Sequence, residues 1–225
     1  MANQLDLEEQ EQLDQLKHFW SQYGNLITWA LIAVLAVFAG SNAYQYWQRS
    51  QATQAAAMFE ELERVAKAGD VAKLDRALAD MKDKFASTSY AQQAGLLAAK
   101  VYFEAGKQDE AKSALTWVAE KSSDEGYQAI ARLRLAGILL EAKAYDEALK
   151  QLGGTFAPDF AALVADRRGD VLLAQGKKTE AGAEYLKAYL GLEERDEYRR
   201  LVEVKMASLG VSAPAAAEKP SGDKK

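Results

Sequence analysis

The chain has 225 residues, 49% hydrophobic and 27% charged, with a formal net charge of −5, a single histidine and no cysteine. The missing cysteine excludes disulfides and thiolate chemistry, and the lone histidine excludes Cys/His and Ser/His/Asp arrangements. Three prolines, abundant alanine and many long charged side chains favour helix almost throughout, and no basic stripe speaks for nucleic acid.

Residues 1–19 form a short acidic tail, with Asp6, Glu8, Glu9, Glu11 and Asp14 set against Lys17. Residues 19–48 then carry no acid or base, and their apolar heart, 26–43, is interrupted only by Thr28, Gly40, Ser41 and Asn42. At 1.5 Å per residue this stretch is long enough to cross a hydrocarbon core of about 30 Å. Phe19, Trp20 and Tyr23 precede it and Tyr44, Tyr46 and Trp47 follow it, the aromatic belts of a membrane span. Residues 20–48 are therefore expected to be a transmembrane helix. A cleaved signal peptide is the competing reading, with Ser41-Asn42-Ala43 as its cleavage site, but its leading region would be basic, not acidic. A buried soluble helix would not collect aromatic rings at both ends. Lys17 and Arg49 flank the span almost symmetrically, so charge encodes orientation weakly. The short tail and the large following region favour tail in, domain out. Gly40, Ser41 and Asn42 make a small, polar patch suited to meeting another helix in the bilayer.

From residue 49 to 210 the pattern changes to amphipathic helices separated by short turns. A phrase recurs: GKQDEAKSAL at 106–115, KAYDEALKQL at 143–152 and GKKTEAGAEY at 176–185. Its alanines, Ala111, Ala148 and Ala181, are spaced by 37 and 33 residues. A period near 34, with a turn residue followed five positions on by alanine, is the tetratricopeptide signature. One helix of each hairpin ends at the turn, the next begins with acids, and the small alanine lets the two approach closely. Ala99, Ala136 and Gly169 take the small position of the first helix, and Tyr102, Leu139 and Leu172 its large one. The early tryptophan position instead reads Gly95, Arg132 and Ala165, so the array is degenerate. Residues 58–85 read as a further helix pair turning at Gly69-Asp70. Residues 195–209 read as a capping helix with one apolar face, as solenoid ends require. Residues 211–225 lack large apolar side chains and are expected to be disordered. The expected fold is all-α: one N-terminal transmembrane helix, then a tetratricopeptide-like α-solenoid of helix hairpins with a C-terminal capping helix.

Nothing in the chain reads as an active site, a metal site or a cofactor site. Its carboxylates sit beside lysines and arginines at helical spacing, and Gly153-Gly154-Thr155 lacks the Lys-Ser/Thr and following helix of a phosphate cradle. The expected functional feature is a surface. By the repeat register, the inner face of the first helices would carry Leu96, Lys100 and Phe103, then Leu133, Gly137 and Leu140, then Asp166, Asp170 and Leu173. The plainer alternative is that the leucines only pack against neighbouring helices.

The order of these features carries a resemblance. An acidic EEQEQLDQLKHFWSQYGN, a span opening ITWALIAV, the aromatic YQYWQ and degenerate repeats resemble the YfgM family of proteobacterial inner-membrane proteins. The resemblance implies a cytoplasmic N-terminus, a single span and a periplasmic tetratricopeptide-like domain without enzymatic activity. It also implies association with the Sec translocon, SecYEG, and with the membrane-anchored chaperone PpiD, and work on secretory clients. A cytoplasm-facing adaptor and an independent periplasmic holdase are the alternatives.

Overall fold

The alanine-rich, turn-punctuated sequence folds into helices throughout residues 7–213, which the computed structural model describes. The start of the acidic tail and most of the segment expected to be disordered, 214–225, lie outside the described residues. The helices are α1 (Leu7–Ala68), α2 (Val71–Phe85), α3 (Ser89–Glu104), α4 (Gln108–Lys121), α5 (Glu125–Glu141), α6 (Tyr145–Leu152), α7 (Ala161–Ala174), α8 (Lys178–Gly191) and α9 (Glu197–Ser208). A 3₁₀ turn, Pro158–Phe160, opens α7, as a proline that cannot continue a helix but can start one would. The chain divides into two units between Thr53 and Gln54.

In the first unit α1 runs through the uncharged stretch without a break. Its large apolar side chains point outward all round: Leu31, Val34, Val37 and Phe38 are 57–74% exposed. A helix apolar on every face is stable only in an apolar solvent, and α1 is long and apolar enough to cross a membrane. Its polar side chains turn back on the backbone. Thr28 donates to the Gly24 carbonyl (2.7 Å), and Ser41 and Asn42 both donate to the Phe38 carbonyl (2.8 and 3.2 Å). Polar groups satisfied within the helix cost little in hydrocarbon.

In the second unit the end of α1 pairs with α2, α3 with α4, α5 with α6 and α7 with α8, and α9 follows. Turn chemistry sets each reversal. Gly106 and Gly176 sit at φ 75° and 79°, where the left-handed conformation costs glycine nothing. The next amides close the helix end: Lys107 N–H donates to Tyr102 O at 2.8 Å and Lys177 N–H to Leu172 O at 2.9 Å. The middle hairpin makes the same bonds with Lys143 at φ 59°. Acids then open the second helices: Asp109 and Glu110, Asp146 and Glu147, and Glu180. Ala111, Ala148 and Ala181 are each completely buried where the helices cross. One apolar cluster joins the end of α1 to α5, a second joins α5 to α7, and a third joins α7 to α9.

The last helix, α9, buries one narrow face. Val202 and Met206 are buried, whereas Leu201 stands 49% exposed. Lys205 takes the inward place beside them, because it has carboxylates to meet.

Candidate functional site

A groove of about 360 Å³ opens between α3 and α5, beside the middle of α7. Phe103, Leu115, Leu133 and Ile138 give it an apolar floor. Lys100, Arg134 and Arg167 stand at its rim, with Glu141 the acid among the lining residues. Gly137 leaves a gap in the middle: a Cβ built there would meet nothing nearer than Arg167 Nη1, at 4.0 Å.

The groove brings together four of the nine residues expected on the inner face, Lys100, Phe103, Leu133 and Gly137. Leu96 is 8% exposed and belongs to the core. Leu140 packs beside the Ala148 and Leu152 cluster. The third repeat is arranged differently. Asp166 is 1% exposed and so is not an open surface residue. It accepts hydrogen bonds from the Tyr198 hydroxyl (2.5 Å) and from Lys205 Nζ (2.8 Å to each oxygen). Lys205 also donates to Asp170 (2.7 Å), which accepts from the Tyr185 hydroxyl (2.9 Å) and faces Arg167 at 3.5 Å. Leu173 packs in the cluster beside these groups. The physical reason is the cap. With α9 packed on α8 and its Tyr198 and Lys205 reaching across to α7, the inner positions of the last repeat become an interface, and a buried carboxylate there needs a cation and donors. Burial, and then the Asp166 carboxylate, push the Tyr198 hydroxyl above its ordinary range. Burial followed by Asp170 does the same for Tyr185.

Arg134 and Arg167 are not among the residues that the repeat register puts on the inner face. They occupy the same register position, 33 residues apart, one place after Leu133 and Asp166. Gly40, Ser41 and Asn42 lie exposed on α1, and nothing approaches within 4 Å of a Cβ built on Gly40. Among the described residues no group of His, Asp or Glu is placed to hold a metal.

Residues 17–211 match the tetratricopeptide repeat-like domain, covering the span and every repeat. An ancillary SecYEG translocon subunit of Neisseria gonorrhoeae is 33% identical over 90% of this chain and 98% of its own length. The chain belongs to the YfgM family. Proteins of the same description in Escherichia coli and Haemophilus influenzae are 28% and 29% identical, over 77% and 78% of this chain and 83% and 85% of theirs. No solved structure matches. Membership of the YfgM family gives the degenerate repeats a frame: the match runs through the hairpins without the early tryptophan.

Proposed function

We propose that the chain is a non-enzymatic ancillary subunit of the Sec translocon, anchored in the bacterial inner membrane by residues 20–48. The acidic segment 1–19 faces the cytoplasm, and the helical domain 49–210 faces the periplasm. There it works with SecYEG, with the chaperone PpiD and with secretory clients. The observation that carries this reading is the end-to-end match to a translocon subunit, which includes the span as well as the repeats. The groove of Phe103, Leu133 and Gly137 is the contact surface of the domain, because it is the place where an apolar floor stays open. Gly40, Ser41 and Asn42 are the contact surface of the span, since small residues let helix backbones approach.

Two measurements test this. Alkaline phosphatase fused after Gly210 is expected to be active, and fused before Lys17 inactive; the reverse pattern returns the chain to a cytoplasmic adaptor. The full chain extracted in mild detergent is expected to retain SecYEG. Gly137→Trp, which fills the groove, and Gly40→Leu are each expected to reduce that retention without lowering the melting temperature.

A further inference from the structure

We infer that the α3–α5 groove selects an extended polypeptide segment carrying a large apolar side chain beside acidic ones, and rejects basic segments. This rests on the groove being a contact surface. Three observations support the choice of occupant. The cavity, at about 360 Å³, is too small to seat a helix roughly 10 Å across, so an extended strand lowering side chains into it is the fitting shape. The floor of Phe103, Leu133 and Ile138 is apolar and takes the anchor. Around it stand an ammonium and two guanidiniums against one carboxylate, Glu141.

The cations also keep donors to spare. Arg134 is exposed, and its one hydrogen bond among the described residues is a long one, 3.4 Å to the Leu96 carbonyl. Arg167 faces Asp170 at 3.5 Å through one nitrogen, and that nitrogen overhangs the Gly137 gap. Among the described residues Lys100 pairs with Glu104 alone, at 3.8 Å, across two exposed side chains. A guanidinium carries five N–H groups in a planar fork, so one weak contact leaves room for a bidentate carboxylate. Glu104 and Asp170, which pair with Lys100 and Arg167, do not line the cavity. An acid entering beside Gly137 therefore meets donors, whereas a lysine there meets like charge.

The test uses the full chain in detergent and three labelled peptides, blocked at both ends, of alternating phenylalanine or leucine with glutamate, glutamine or lysine. Fluorescence anisotropy at low salt is expected to show tightest binding for the glutamate peptide. The glutamine peptide is expected to bind about tenfold more weakly, the loss of one charge-assisted contact, and the lysine peptide weaker still. Arg134→Glu, at an exposed position, is expected to keep the melting temperature while removing the preference for glutamate over lysine, because two cations then face two carboxylates. Equal binding of all three peptides by the natural chain, or a preference for glutamate undiminished by Arg134→Glu, overturns the selection for acid. No binding of any peptide overturns it too. The groove reading fails separately, if Gly137→Trp leaves both peptide binding and SecYEG retention intact.

Discussion

Residues 26–43 of α1 and the whole of α3 are both poor in charge, yet they are built from different side chains. The first is rich in leucine, isoleucine, valine and phenylalanine, and Val34 and Val37 are 66% and 74% exposed. The second is rich in alanine, and Ala91, Ala94 and Ala98 are completely buried. The size of the apolar residues, more than their number, tells which neighbour a helix expects. Bulky side chains suit fluid lipid, which fits round any shape. Small ones suit another helix, whose backbone must come close.

A charge tests both surfaces hardest. Ala98→Arg would drive a long cation into a packed crossing and is expected to cost at least about 4 kcal/mol, abolishing the cooperative melt. Val37→Arg is expected to cost about 2.5–3.5 kcal/mol of membrane insertion, shifting protein into the carbonate-soluble fraction. A melt unaffected by Val37→Arg alongside one abolished by Ala98→Arg keeps the two surfaces distinct.

Two glycines give a finer contrast. A Cβ on Gly95 would lie 2.5 Å from Val118 Cγ2, whereas one on Gly40 meets nothing within 4 Å. Gly95→Leu is expected to destabilise by about 1–3 kcal/mol in thermal unfolding. Gly40→Leu should leave the melt in place and reveal itself only through the lost partner. Equal losses from the two would erase the distinction.

Polar groups extend the comparison. In the span Thr28, Ser41 and Asn42 close on their own backbone, whereas in the repeats Tyr102, Tyr185 and Tyr198 close on carboxylates of other helices. Burial and then neighbouring carboxylates raise the hydroxyls of Tyr102, Tyr185 and Tyr198 above the ordinary tyrosine value. The folded state therefore holds these protons where the unfolded chain, ionising near pH ~10, releases them. Their contribution to stability is complete below that pH and is lost as pH rises above it. The triple change to phenylalanine is expected to flatten this alkaline decline of the melting temperature, after allowance for its lower starting point. Ser41→Ala, which removes a bond internal to α1, is the smallest effect expected, within about 0.5 kcal/mol in the melt.

The sequence announced the hairpins because each turn is specified locally: a turn residue, two acids and a buried alanine lie within ten residues. It announced the span for the same reason, as one run free of charge. What it hid depends on residues far apart in the chain. Asp166 looks like a surface acid until Lys205, 39 residues on, is laid against it. The one-dimensional clue was faint: Lys205 shares a face with Val202 and Met206, where a lysine has no place unless it is paired. The groove was half legible, since the repeat register gives Lys100, Phe103, Leu133 and Gly137. The rim arginines lie one position off the face that the register puts inward.

Lys143 has a consequence in time. Its counterparts, Gly69, Gly106 and Gly176, reverse the chain unaided, but a residue with a Cβ held at φ 59° gives up about 1–2 kcal/mol. The helix it introduces, Tyr145–Leu152, is only eight residues long and has little stability of its own. The middle hairpin is thus the expected keystone: the hairpins on either side close first, and their walls then hold the third turn shut. Pulse-labelled hydrogen exchange during refolding would read this order directly, with amides of α6 gaining protection after those of α3, α4, α7 and α8. Lys143→Gly should bring α6 forward, and simultaneous protection of all five helices in the natural chain would rule the sequence of events out.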